Sequence, residues 1–164
     1  MESVSVVPEA KDPNPEGAKS PQVPASEVSA AMHREDRFAH HMGMTIEEVS
    51  LGSARLSMVI RDEMANGHDI GHGGTIFSLA DTAMAHACNS YNRVAVAVSC
   101  NIEFIAAARL GDVLTATATE QSRAGRNAVY DVRVCDPDGK LIALFRGKTR
   151  VIGDALVGGA DSSK

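Results

Sequence analysis

From Val94 onward the chain reads with period two. Val94, Val96, Val98, Cys100, Ile102 and Phe104 alternate with Ala95, Ala97, Ser99, Asn101 and Glu103. Leu114, Ala116 and Ala118 alternate with Thr115, Thr117 and Thr119, and Tyr130, Val132 and Val134 with Asp131 and Arg133. Alternation sustained over three segments predicts strands. Asp136-Pro137-Asp138-Gly139 predicts a turn, with proline fixing φ and glycine admitting positive φ, so that Leu141–Ile152 returns as an antiparallel hairpin. Upstream, Met44–Ser50 and Ala54–Arg61 read as two further strands around a Leu51-Gly52-Ser53 turn, followed by a Gly- and His-rich loop, residues 62–71.

Between the two β regions the period changes. Residues 73–88 are Ala-rich and apolar on nearly every face, with Asp81 as the one acid and no Lys or Arg before Arg93. An all-round apolar pattern predicts a buried helix. Ser29 is expected to cap an earlier helix carrying Ala30, Met32, His33, Phe38 and His41, which Gly43 stops. A long buried helix needs a surface around it, and a long antiparallel sheet supplies one, so the fold class is α+β.

Residues 1–28 hold five of the six prolines (Pro8, Pro13, Pro15, Pro21 and Pro24), and no aromatic precedes Phe38. Such a stretch cannot bury enough apolar surface to offset its ordering entropy and is expected to be a flexible tail. The folded domain is then 29–153, with 154–164 as a second flexible tail. A chain of 164 residues suits one domain. Its net charge of −5 weighs against a nucleic-acid partner while leaving room for a local basic patch. No apolar run reaches the roughly 18 residues a membrane span needs, and Met1-Glu2-Ser3-Val4 lacks the pattern of a secretory signal. A cytoplasmic protein is expected, with Cys88, Cys100 and Cys135 as reduced thiols. His68, His72 and His86 are not at metal-ligand spacing, and no metal is expected.

Asp81 is the residue that demands explanation. A carboxylate on a buried helix is costly unless it is hydrogen-bonded, paired or lifted towards neutrality, or unless it reaches water at the sheet edge. His72-Gly73-Gly74 opens the same helix, and free N–H groups of a first turn stabilise an oxyanion. It could equally be an ordinary strand-to-helix turn. Asp81 lies eight residues beyond Gly73, or about 12 Å along the axis, too far for one helix to bring both onto one acyl group. An antiparallel copy of the helix from a second subunit would bring them together, giving two sites per dimer. Asn66-Gly67-His68 is a further polar group, and the bland reading of it is a loop turn.

Taken together, Asn66-Gly67-His68, the run from His72 to Asp81, Glu103-Phe104-Ile105, Gly111-Asp112 and Ala143–Lys148 resemble the PaaI-type hotdog thioesterases of phenylacetate degradation. The resemblance covers roughly residues 30–153 and is most specific from Asn66 to Asn89. It implies a hotdog fold, a long sheet wrapped around the central helix. It also implies a homodimer as the minimal active unit, pairs of dimers forming a homotetramer, an acyl-CoA substrate and no cofactor. By resemblance, the Gly73 N–H polarises the thioester carbonyl, with Gly74 beside it. Asp81 of the partner chain acts as nucleophile or general base. Also by resemblance, Asn66 bonds near the thioester or the attacking water, Ser99 holds that water, and His72 supports the loop or the thioester region without acting as a base. Thioesters are activated acyl groups, and the sequence has no Gly-x-Ser-x-Gly elbow. The CoA phosphates need cations, for which Arg123, Arg126, Arg146, Lys148 and Arg150 are the candidates against a solvated strand face as the plain reading. Phenylacetyl-CoA and its hydroxylated forms are the leading substrates. A hydroxyacyl-thioester dehydratase and a non-catalytic acyl-CoA-binding module are the alternatives; the first would pair an acid with a catalytic His, and the second would tolerate loss of Asp81.

Overall fold

The computed structural model describes residues 23–158. In chain order the elements are α1 (Ala25–Glu35), α2 (Arg37–Met42), β1 (Thr45–Ser50), β2 (Ser53–Val59), a 3₁₀ turn (Asp62–Met64), α3 (Gly73–Asn89), β3 (Ala95–Phe104), β4 (Val113–Ala124), β5 (Asn127–Cys135) and β6 (Leu141–Val151). The strands form one antiparallel sheet of order β1-β2-β4-β5-β6-β3, and α3 packs along its inner face.

The alternation along the strands explains that packing. Leu56 and Met58 of β2, Leu114, Ala116 and Ala118 of β4, Tyr130, Val132 and Val134 of β5 and Phe145 of β6 are all buried against α3. The helix answers with Ile76, Leu79, Ala80, Ala83, Met84 and Ala87. Small residues let helix and sheet approach closely. A Cβ on Gly147 would run into the Met84 thioether and sit 3.0 Å from the Phe145 ring. Within the core, the Tyr130 hydroxyl donates to Glu120 at 2.7 Å, so the buried phenol is satisfied. Asn89 ties the end of α3 to the start of β3: its amide donates to the Ala85 and Ala95 carbonyls at 2.9 and 3.0 Å and accepts the Ala95 N–H at 2.9 Å.

β3 and β1 are the sheet edges. The phase of β3 shifts at a bulge between Ala97 and Ser99. Before it, Ala95 and Ala97 stand opposite Val151 and Thr149; beyond it, Cys100, Ile102 and Phe104 stand opposite Gly147, Phe145 and Ala143. Val96 and Val98 are therefore left 41% and 51% exposed, and the even-numbered apolar series does not form one continuous buried face.

Three expectations need correction. The first helix begins at Ala25, not Ser29, because the Pro24 carbonyl accepts the Glu27 and Val28 N–H groups at 2.9 and 3.1 Å. Residues 25–28, assigned to the tail, are thus helical, and Val28 is fully buried. The single helix expected up to Gly43 is two helices, broken at Asp36, whose carboxylate caps α2 by accepting the Ala39 N–H at 2.9 Å. Gly43 does end α2, with φ of 71°. The segment after residue 153 is hydrogen-bonded as far as Val157: Asn92 accepts the Leu156 and Val157 N–H groups at 3.0 and 2.9 Å. The tail expectations for residues 1–22 and 159–164 lie outside the described residues. Among the described residues, no helix is long and apolar enough to cross a membrane.

Ser29 has a different partner from the one expected. Its hydroxyl is 2.8 Å from Nδ1 of His86, a residue of α3 only 1% exposed, so this bond fastens α1 to α3. Burial first, and the nearby His33 second, depress the His86 pKa from 6.5 to about 4, with Asp36 opposing. The unfolded chain therefore binds this proton near pH 6.5, while the folded one resists it until about pH 4. Stability from this group is complete above pH 6.5 and is lost as pH falls towards 4, by on the order of 3 kcal/mol. Urea midpoints measured across that range are expected to fall less steeply for His86→Gln than for the wild type.

Candidate active site

The loop before α3 is closed by its own polar groups. Asn66 accepts the His68 N–H on its side chain at 2.9 Å, donates its N–H to the Ile70 carbonyl at 2.8 Å and accepts the Asp69 N–H on its carbonyl at 3.1 Å. The His72 N–H then donates to Met64 at 2.8 Å, and Gly71 to Ala108 at 2.9 Å, which fixes where the helix starts. His72 is the N-cap, and its Nδ1 accepts the Gly74 N–H at 2.9 Å. The His72 carbonyl takes the Thr75 and Ile76 N–H groups at 3.0 and 3.3 Å. Gly73 is left as the first-turn amide without a hydrogen-bond partner among the described residues, at the positive end of the helix dipole.

Asn66 and Gly73 line one cavity of about 400 Å³, with Ile70, Ile76, Phe104 and Ile105 among its apolar walls. The reading of Asn66 as a turn residue is met by its carboxamide oxygen, which holds the turn, and the residue also borders the cavity. Asp81 does not line this cavity.

Asp81 instead projects towards the β3 edge. It is half-buried and makes no ion pair among the described residues. Its recorded side-chain neighbour is Cys100, with Sγ 4.0 Å from the carboxylate. Burial alone raises the Asp81 carboxyl above its ordinary value. The Cys100 thiol is raised as well, by burial and then by the Asp81 charge. The readings of Asp81 as a carboxylate paired with an Arg or bonded to a backbone amide find no such contact among the described residues. Ser99 is exposed on the edge strand, opposite Lys148 and one residue from Cys100. His86 is held by Ser29 and makes no hydrogen bond or ion pair with Asp81.

The basic candidates are scattered. Arg146 forms a bidentate pair with Asp131 at 2.6 and 2.7 Å, which lowers the Asp131 carboxyl below its ordinary value. Arg123 lies 3.7 Å over the Tyr91 ring and 3.5 Å from Glu120. Arg126 donates to the Val151 carbonyl at 3.0 Å. Arg123 and Arg126 border a small cavity near the β4–β5 turn, together with Arg93. Lys148 and Arg150 are exposed along β6. The sequence did not single out Cys100 as a neighbour of Asp81. Its place in the period-two series could have shown that it shares a face with Ile102, but the bulge that sets the phase has no mark in the sequence.

Comparison with known proteins follows the same geometry. A family model described as the thioesterase superfamily matches residues 68–143. Acyl-coenzyme A thioesterase PaaI of Escherichia coli is 42% identical over 130 residues, spanning 79% of this chain and 93% of its own. The solved structure of the E. coli PaaI protein from the phenylacetic acid degradation operon aligns with a TM-score of 0.79 at 41% identity, covering 80% of this chain and 95% of that one. A mutant of the phenylacetic acid degradation protein PaaI from Thermus thermophilus aligns with a TM-score of 0.69 at 32% identity, covering 71% of this chain and all of that one (100%).

The state of Asp81 has a consequence for stability. The folded carboxyl keeps its proton to higher pH than the unfolded one, so its ionisation costs stability as pH rises above 3.8. Asp81→Asn is expected to have a higher urea midpoint than the wild type at pH 7, with no difference below pH 3.8. A lower midpoint for the mutant at pH 7 would mean that stabilising contacts hold the carboxylate.

Proposed function

This chain belongs to the PaaI-type acyl-CoA thioesterases, enzymes of the thioesterase superfamily with the hotdog fold, and from that membership we propose a specific reaction and site. The substrate is an aryl-acyl-CoA, phenylacetyl-CoA or a hydroxylated form of it, cleaved to the free acid and CoA. The thioester carbonyl sits at the Gly73 N–H with Asn66 beside it, and Asp81 arrives from a second copy of the chain. The observation that carries this reading is the distribution of groups along α3. An unpartnered amide opens the helix beside a cavity, and an uncompensated carboxylate sits eight residues on, about 12 Å along the axis. Neither has an evident use within one subunit.

In this reading the Gly73 N–H and the helix dipole stabilise the negative charge that develops on the carbonyl oxygen. The partner's carboxylate takes a proton from water as the water oxygen attacks the carbonyl carbon. Alternatively, it attacks the carbon itself, and water then cleaves the resulting anhydride. In either course the C–S bond breaks and CoA leaves as thiol once protonated. Burial favours the task, because a carboxylate raised above the ordinary range is a stronger base at neutral pH. The oxyanion donor is worth about 10²–10³-fold and the positioned base about 10²–10⁴-fold. On α3 itself, His86 is bonded to Ser29, and the His72 cap holds the Gly74 N–H through Nδ1, so neither is paired with Asp81, which disfavours dehydration.

A homodimer is the smallest complete unit in this account, and a pair of dimers is its natural extension. Arg123 and Arg126, which share a cavity rim with Arg93, are better placed than Arg146 to receive the CoA phosphates: Asp131 holds Arg146 bidentately at 2.6 and 2.7 Å, whereas Arg123 has a 3.5 Å approach to Glu120 and Arg126 one bond to a backbone carbonyl. Lys148 supplements them. The free thiols of Cys88, Cys100 and Cys135 suit a cytoplasmic enzyme.

Free-thiol release from a panel of aryl- and alkyl-CoA esters tests the proposal. The wild type is expected to release CoA fastest from aryl esters. Asp81→Ala should lose at least about 10²-fold in kcat while remaining folded and still binding the ester. Binding of the esters by the wild type without release would favour the non-catalytic module.

A further inference from the structure

Phe104 is the last residue of β3, on the phase that faces α3, with Ala143 as its strand partner. Its neighbour across the site is Gly73. A Cβ built on Gly73 would stand 3.0 Å from the ring Cζ and 3.4 Å from both Cε atoms, its three nearest heavy atoms. The ring tip thus occupies the space a side chain at position 73 would need. It rests on the backbone of the residue whose N–H is unpartnered.

The rest of the ring is not used by the core. Phe104 is 53% exposed, whereas Phe145 is buried and packs edge-on against Phe77 at 5.3 Å. Of the four Phe, Phe38 and Phe104 are left half exposed, and of these two only Phe104 stands against the Gly73 backbone and borders a cavity. Its bare face opens onto the cavity of about 400 Å³ that Asn66 and Gly73 border, where Ile70, Ile76 and Ile105 supply the other apolar surface. Apolar walls with few convergent polar groups are what an acyl-binding cavity requires.

From this geometry we infer that Phe104 is a specificity-determining residue, the wall against which the acyl group packs beside the Gly73 N–H, and that it selects flat aryl groups over extended alkyl ones. The inference rests on the proposed placement of the thioester at Gly73. An aryl ring carried one methylene from the carbonyl can meet the Phe104 ring edge-to-face or offset-stacked. That geometry adds to simple area burial and is absent for an alkyl chain.

The test compares kcat/KM for phenylacetyl-CoA with kcat/KM for hexanoyl-CoA in the wild type, Phe104→Leu and Phe104→Tyr. Sedimentation of each variant checks that assembly is unchanged. Leucine keeps apolar bulk and removes the ring, so the aryl-to-alkyl ratio is expected to fall by about 3- to 10-fold, mostly in the aryl value. Tyrosine keeps the ring and should preserve the ratio within about 2-fold. Equal losses on both esters, or a ratio unmoved by leucine, would overturn the inference and leave Phe104 as packing for Gly73. Uniform loss with altered sedimentation would overturn it too, by making Phe104 a subunit contact. A wild type that hydrolyses no ester would instead sink the proposed function itself, whatever the Phe104 variants do.

Discussion

Close approach between α3 and the sheet is the constraint on which the rest of the structure depends. A helix with Ala80, Ala83 and Ala87 in its core-facing set, and a glycine opposite Met84, can lie nearer the strands than one with bulkier contacts. The sheet must then cover it from several directions, and β2, β4, β5 and β6 all contribute buried side chains. Because α3 is enclosed, only its first turn and its flank beside β3 remain open for chemistry. Gly73 and Asp81 occupy those two places.

The two openings differ in kind. At the first turn the chain offers backbone donors, and the loop and cap use their polar groups on one another, so that within that turn the Gly73 amide has no partner among the described residues. At the flank the chain offers a carboxylate with a thiol as its neighbour and, among the described residues, no ion pair to neutralise it. The first arrangement costs little, because an amide at a helix start is unpaired in any case. The second opposes stability, because burial disfavours the ionised form. Under the proposed role of Asp81, the fold gives up stability for reactivity at that point.

Sequence patterning revealed the elements whose environment is uniform along their length. The all-round apolar run from Gly73, the alternation in β4 and β5 and the Asp136–Gly139 turn each carry one unbroken period, and each stands where it was expected. Pattern failed where a single residue changes the environment. Asp36 splits one amphipathic stretch into two helices by capping the second. The bulge at Ala97 and Ser99 reverses the phase of an otherwise regular strand. Ser29, chosen as a cap from its type, makes a bond to His86 from 57 residues away, which no local window can see. The site shows the same division. Asn66 and Gly73 could be picked out from local motifs and from family resemblance, and they do share a cavity. The engagement of Arg146 by Asp131 is a cross-strand pairing, visible only once register is known.

The cap on α3 settles the tautomer of His72. Its Nδ1 lone pair is committed to the Gly74 N–H, so a neutral ring must carry its hydrogen on Nε2. The outward nitrogen is then a donor, with no electron pair to take a proton from water or substrate. Holding the helix start through Nδ1 and acting as a base at that nitrogen compete for one and the same lone pair.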